Sequence, residues 1–138
     1  MRGAAWPTLG SLLAGFAEVP AHLADRPVTG LASDSRAVRP GDLFFAVRGG
    51  RRHGLEFIDA VRAAGALAVV WEPPHAGVLP VGEAAPPLLA VSELRQRMGL
   101  IASRFYGTPS ERLRVVGITG TDGKTSCAHF IAQALSDA

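Results

Sequence analysis

Gly117-Ile118-Thr119-Gly120-Thr121-Asp122-Gly123-Lys124-Thr125-Ser126 is the stretch that decides the fold class. It follows an apolar run at Leu113, Val115 and Val116. It opens a stretch in which Phe130, Ile131, Ala134 and Leu135 share one helical face, predicted to turn inward. Strand, glycine-rich turn, Lys-Thr and helix, in that order, form the layout of a phosphate-binding loop. Glycines let backbone N–H groups approach phosphate oxygens, and a helix N-terminus adds its positive dipole end. Lys124 would supply charge to the β- and γ-phosphates, and the Thr125 hydroxyl a ligand for Mg²⁺. The general pattern places a glycine where this chain has Ile118, and here Gly120 takes that role. The competing reading is a left-handed glycine turn that joins strand to helix and binds nothing.

Outward from this loop, short apolar runs alternate with helical periodicity, the pattern of an α/β domain with a mostly parallel or mixed sheet flanked by helices. Strands are expected at Gly30–Ala32 and at residues 43–47, 66–71 and 88–91, with a brief one at 78–79 and a further one at 114–118. Leu9, Leu12, Leu13 and Phe16 fall at i, i+3, i+4 and i+7, a helical stripe with Thr8 as its N-cap. Residues 17–29 read as irregular. A second helix is expected over 56–64, stopped by Gly65. A third is capped by Ser92 and runs to about Phe105, with Leu94, Met98, Ile101 and Phe105 on its apolar face. Residues 1–107 form the expected first domain, 108–112 a linker, and 113–138 the first strand, phosphate loop and helix of a second, truncated domain.

The bulk composition is that of a folded chain. Of 138 residues, 48% are hydrophobic and 19% charged, which separates it from disordered sequences. Fourteen basic residues nearly balance 12 acidic ones, and no interleaved basic and aromatic stripe suggests nucleic acid. The lone cysteine, Cys127, rules out an internal disulfide and fits a reducing compartment. No apolar run reaches membrane-spanning length. The N-terminal residues faintly resemble a leader, but the Leu9 to Phe16 stripe favours a helix of a cytoplasmic protein. His22, His53, His75 and His129 show no metal-ligand spacing and read as ordinary loop or surface histidines.

A second candidate site lies in the loops around the strand at 43–47. Ser33 and Ser35 carry hydroxyls that both donate and accept, as a pyrimidine edge requires. Gly49 and Gly50 offer amides, and Arg51 and Arg52 offer charge, for a diphosphate. By themselves these residues more often make a solvated turn with an internal Asp34–Arg36 salt bridge and a solvent-facing basic loop.

Two blocks carry a family resemblance. Asp34-Ser35-Arg36, Val38, Pro40-Gly41-Asp42-Leu43-Phe44, Ala46 and Gly49 resemble the N-terminal signature of the MurE and MurF branch of the Mur ligases, the ATP-dependent amide ligases of peptidoglycan synthesis. Phe105-Tyr106, Pro109-Ser110, Leu113 and the loop from Gly117 to Thr125 are similar to the MurE type, which adds the third residue to UDP-N-acetylmuramoyl-L-alanyl-D-glutamate. The resemblance runs from about residue 9 to the end. It implies a MurE-like UDP-sugar-binding domain followed by the start of a central ATPase domain, in a monomeric, cytoplasmic, ATP- and Mg²⁺-dependent enzyme. By matched position, Ser33 and Ser35 would contact the uridine end, and Gly50, Arg51 and Arg52 the diphosphate. Gly120, Thr121, Asp122, Gly123, Lys124, Thr125 and Ser126 would hold ATP, with Lys124 and Thr125 serving catalysis and Thr125 reaching Mg²⁺. Two positions depart from the family. Asp122 stands where most members have Asn, and His53-Gly54-Leu55 stands where members often have Asp-Gly-His or Asp-Gly-Arg. Family members continue with the remaining metal ligands, a carbamylated lysine and the amino-acid pocket, so this chain alone is expected to bind UDP-sugar without forming an amide. A MurF-type fragment, a stand-alone nucleotide-sugar module and a generic phosphate-loop fragment are the alternatives.

Overall fold

Strands buried on both faces organise the first of two units, Met1–Thr108; the second is Pro109–Ala138. The computed structural model describes residues 5–49, 52–74, 77, 79 and 86–136. Among them, β1 (Gly30–Ala32), β2 (Asp42–Ala46), β3 (Ala68–Trp71) and β4 (Leu88–Ala90) form one sheet in that order, with every adjacent pair parallel. Every residue of β2 is buried. Successive side chains of a strand point to opposite faces, so burial at every position requires cover on both sides.

The helices provide that cover. On one face Leu43, Phe45, Ala68, Val70 and Leu89 pack with Leu9, Leu12 and Leu13 of α1 (Leu9–Leu13), Leu23 of α2 (Ala21–Ala24), and Leu94 and Ile101 of the twelve-residue α4 (Leu94–Phe105). On the other face Phe44, Ala46 and Val69 pack with Ile58 and Val61 of α3 (Ile58–Ala63), together with Val38 and Leu55. Arg104 of α4 ties the first group together. Its Nη1 donates to the carbonyls of Leu12 (2.9 Å) and Ala14 (2.8 Å) at the end of α1. Its guanidinium also lies 4.4 Å from the Phe16 ring centroid.

Four expectations need correction. The irregular stretch 17–29 contains α2, a single turn whose Leu23 is buried against the α1 side of the core. The second helix begins as a 3₁₀ turn, Gly54–Phe57, before α3. Ser92 does not cap α4. The N-cap is Glu93, held left-handed at φ 53° with no side-chain cap, and its carbonyl accepts from Gln96 and Arg97. The brief strand at 78–79 is not found at Leu79, which packs as a half-buried residue beside the α3 cluster, and Val78 lies outside the described residues.

The second unit holds a 3₁₀ turn at Pro109–Glu111 and a helix, α5 (Lys124–Ser136). The strand expected at 114–118 is absent. A strand needs a neighbour to take its ladder hydrogen bonds, and the described residues of this unit contain no other strand. For the same reason the α5 face expected to turn inward is exposed: Phe130 and Leu135 are 67% and 68% accessible.

Phe44 sits at the centre of the sheet, 1% exposed, between Ala32 of β1 and Val69 of β3. Phe44→Ala is expected to destabilise the first unit by about 3–5 kcal/mol, measured by urea unfolding of the purified chain.

Candidate functional site

Because β1 and β2 are parallel, the segments that follow them emerge at the same edge of the sheet. The two polar loops, separated in sequence by a whole strand, therefore both lie at the carboxyl ends of the strands, where α/β sheets bind ligands. Ser33 directly follows β1 and is exposed. Ser35 is half-buried and opens a 3₁₀ turn, Ser35–Ala37, whose N-cap is Asp34.

The Asp34 carboxylate accepts from the Arg36 backbone N–H (2.9 Å), from Arg36 Nε (3.0 Å) and from Arg36 Nη2 (2.7 Å). This two-pronged pair is the internal salt bridge that the residues alone suggested. The hydrogen bonds from the Arg36 side chain and backbone hold the Asp34 carboxyl at about 2, below its ordinary 3.8. The turn thus presents the Ser33 and Ser35 hydroxyls while its charges satisfy each other.

The loop after β2 is closed by its own backbone. Arg48 and His53 form an isolated antiparallel bridge, Gly49 N–H donates to Arg52 O (2.8 Å), and Gly54 N–H donates to Val47 O (2.9 Å). The Arg95 side chain at the start of α4 donates to the Arg48 carbonyl. Arg52 is exposed, 4.0 Å from the Glu56 carboxylate and with its guanidinium 5.9 Å from the Phe57 ring centroid. Gly50 and Arg51, the other two residues expected to hold a diphosphate, lie outside the described residues.

His53 is the correction in this loop. It is buried, 9% exposed, rather than an ordinary surface histidine. Its Nδ1 accepts from Leu55 N–H (3.1 Å), and Glu56 Oε1 accepts from His53 N–H (2.9 Å), a reciprocal capping box. Accepting at Nδ1 requires an unprotonated nitrogen there. His53 thereby performs the capping task for which an aspartate or asparagine is the commoner residue. The spacing His53-x-x-Glu56 was visible in the sequence, but histidine is an uncommon cap. Gly54 is required next to it, because a Cβ there would meet Ala46 Cα of β2 at 2.6 Å.

Beside Ser33 opens a cavity of about 330 Å³, lined by Leu31, Ala32 and Phe45 from the strands and by Met98, Gly99, Ala102 and Tyr106 from α4 and its end. Met98, Ala102 and Tyr106 recur at i, i+4 and i+8, one stripe of the helix surface. The wall is apolar, and Ser33 supplies a hydroxyl at its edge. From sequence, Met98 was read only as part of the helix's apolar face and Tyr106 only as part of the family resemblance, and Gly99 and Ala102 were not singled out.

In the second unit, Gly120 and Gly123 take φ values of 149° and 76°, and Gly123 O accepts the first helical bond of α5, from Cys127 N–H. The N–H groups of Lys124, Thr125 and Ser126 occupy the first turn, where no intrahelical acceptor exists. Lys124 Nζ donates to the carbonyls of Gly120 and Thr121, folding its charge over the loop. A Cβ on Gly123 would meet nothing within 4 Å, so the loop is open on that side. Free first-turn amides beside a lysine are an arrangement able to take an anionic phosphate. Asp122 is exposed and makes no hydrogen bond or ion pair among the described residues. Those residues also contain no group of three or more His, Cys, Asp or Glu able to hold a metal ion.

Residues 27–106 match the family model described as "Mur ligase family, catalytic domain". The chain belongs to the Mur ligase family. Similar curated proteins are UDP-N-acetylmuramoyl-L-alanyl-D-glutamate–2,6-diaminopimelate ligases. That of Alkalilimnicola ehrlichii is 53% identical over 80% of this chain, and that of Pseudomonas aeruginosa 51% identical over 76%. The matched region spans 24% and 21% of those proteins, so the chain corresponds to about a quarter of its Mur relatives. A solved structure of a 2,6-diaminopimelate ligase matches 87% of the chain with TM-score 0.61 and 28% identity, covering 24% of that protein. A MurF ligase from Thermotoga maritima in complex with ADP matches 69% with TM-score 0.50 and 30% identity, covering 20% of that protein. The α/β fold with its parallel four-stranded sheet is thus a Mur ligase fold.

Two outcomes follow from the loop geometry. A carbon-detected NMR titration should find the Asp34 carboxyl with a midpoint near 2, raised toward its ordinary 3.8 by Arg36→Gln but not fully to it, because the backbone N–H of residue 36 still donates to the carboxylate. Since the folded value is the lower one, the pair's stabilisation is present above about 3.8 and is lost as pH falls through 2. His53→Asp should retain the cap, whereas His53→Ala should lower stability by about 1 kcal/mol in urea unfolding at neutral pH.

Proposed function

We propose that this chain is the UDP-sugar-binding part, with the opening phosphate loop, of a MurE-type ligase. Such an enzyme joins an amino acid to UDP-N-acetylmuramoyl-L-alanyl-D-glutamate in the cytoplasm. The observation that carries the reading is the meeting of three features at the carboxyl edge of β1 and β2: the Ser33–Ser35 turn, the loop 48–54 and the apolar cavity. A uridine diphosphate has matching parts. Its base is flat and apolar on both faces with a polar edge, and its diphosphate is doubly charged. The base enters the cavity with its edge toward Ser33, Ser35 orders the turn and meets the uridine end, and the diphosphate lies along the loop containing Gly50, Arg51 and Arg52. The curated relatives, named for this UDP-linked dipeptide, support the assignment.

The loop from Gly120 to Ser126 receives the ATP phosphates as their Mg²⁺ complex. Bound ATP supplies the phosphoryl group that activates the acceptor carboxylate. Lys124, held here by the Gly120 and Thr121 carbonyls, would hold the nucleotide's phosphate oxygens together with the first-turn amides, and Thr125 would be the hydroxyl for their cation, which would neutralise phosphate charge. Acyl activation and amine attack depend on positioning and charge neutralisation by groups spread over a whole active site. The chain spans about a quarter of its relatives, and we assign it binding without ligation.

Calorimetric titration of the purified chain tests this. Saturable binding of UDP-N-acetylmuramoyl-L-alanyl-D-glutamate, weak binding of Mg²⁺-ATP and no amide product are expected. Absence of UDP-sugar binding by a folded chain would overturn the reading, and amide formation would overturn the assignment of binding alone.

A further inference from the structure

The closure of the loop after β2 passes through a titratable side chain. His53 is 9% exposed and pairs with Arg48 across an isolated antiparallel bridge. Its Nδ1 accepts from Leu55 N–H at 3.1 Å, which opens the 3₁₀ turn Gly54–Phe57. The next residue, Gly54, is pressed against Ala46 of β2, and its N–H donates to Val47 O at 2.9 Å. The cap thus sits between the loop and the sheet, and the turn it holds leads through buried Leu55 into α3. An aspartate cap stays ionised, and so stays an acceptor, through neutral and mildly acidic pH. A histidine cap does not. Protonation places a hydrogen on the accepting nitrogen, and an imidazolium donates from both nitrogens. Nδ1–H and Leu55 N–H would then meet donor to donor, and the cap would be lost.

We infer that His53 is a pH-sensitive latch: its neutral ring holds the Arg48–His53 closure against the sheet, and protonation at Nδ1 releases it. The charged groups around the ring compete over that proton. Glu56 favours the imidazolium, since its Oε1 accepts from His53 N–H at 2.9 Å, but its other oxygen is shared with Arg52 Nε, 4.0 Å away. Arg52, Arg48 in the bridge, and Arg95, which reaches the Arg48 carbonyl from α4, oppose a further positive charge. Charges on the flanking elements are largely paired among themselves: Asp34 with Arg36 after β1, Asp59 with Arg62 in α3, and Glu93 with Arg97 at the start of α4. Glu72 follows β3 at the same edge of the sheet. The folded cap exists only with the neutral ring, so the unfolded chain takes up the proton first. Its stabilisation is therefore complete above the ordinary histidine value of about 6.5 and begins to be lost as pH falls below it. The loop is the one assigned above to the diphosphate, but the latch concerns the loop's own bonds and stands or falls apart from that assignment.

The test follows the unaltered full chain, His53→Asn and Glu56→Gln by amide hydrogen exchange and by NMR of the histidine ring, between about pH 7.5 and 5. Exchange is expressed as protection relative to a free peptide at the same pH, which removes the chemical pH dependence. Asparagine accepts as a cap and does not titrate. In the unaltered chain, protection of the Leu55, Gly54 and Gly49 amides is expected to fall about fivefold to tenfold across this range, in step with titration of the His53 ring. His53→Asn is expected to keep the neutral-pH protection and to hold it flat. Glu56→Gln is expected to retain the fall, with its midpoint moved to lower pH because the carboxylate that favours the imidazolium is gone. An equal fall in the unaltered chain and in His53→Asn would overturn the inference, and a flat Glu56→Gln would assign the effect to the carboxylate and overturn it too. If His53→Asn does not fold, the unaltered chain decides alone. A ring that titrates with no change at Leu55, or that stays neutral down to about pH 5, would overturn the latch, whereas coincident titration of the ring and of Leu55 protection would support it.

Discussion

Complete burial of β2 is the constraint from which the first unit follows. Asp42–Ala46 places Leu43 and Phe45 in one core and Phe44 and Ala46 in the other, so the sheet cannot present either face to water. Helices must cover both sides, and short crossovers between neighbouring strands leave the strands parallel. The one polar residue in the strand, Asp42, is tolerated because its carboxylate accepts the Arg39 N–H at 2.9 Å and closes the turn that feeds the strand. Removing a buried carboxylate's partner would cost more than the bond contributes, so the turn and the strand are locked together.

Parallel pairing also makes the site. Antiparallel strands would send the loops after β1 and β2 to opposite ends of the sheet. In a parallel pair they share an edge, and α4 arrives beside them after β4 to complete the wall of the cavity. Each loop is then stiffened locally. Asp34 and Arg36 neutralise one another in the first, and His53 and Glu56 cap the helix that follows the second. These local contacts order both loops while Ser33 and Arg52, the latter beside Glu56 and Phe57, remain exposed.

The strands of the first unit were legible in the sequence to within a residue or two because their apolar runs are short, continuous and bounded by Gly and Pro. The helix at Leu9–Leu13 was legible through its stripe and its Thr8 cap, whose hydroxyl accepts from Ser11 N–H. The start of α4 was not, because Glu93 adopts a left-handed conformation that no side-chain rule anticipates. His53 was misread because its burial depends on the 3₁₀ turn packing against Ala46, a tertiary contact. The same holds for the cavity: Ser33 was singled out for its chemistry, whereas Gly99 and Ala102 acquire meaning only once α4 lies across from β1. In the second unit the loop motif was legible, but an apolar run became neither strand nor buried surface. Both require neighbours that this unit lacks among the described residues.

The most direct test of the account is two-dimensional amide NMR of the labelled chain titrated with UDP. The account predicts saturable shift changes concentrated at residues 31–36, 48–54 and 98–106, where the ends of β1 and β2 meet α4. Saturable changes confined to other residues, or none in a chain whose spectrum shows it folded, would contradict it.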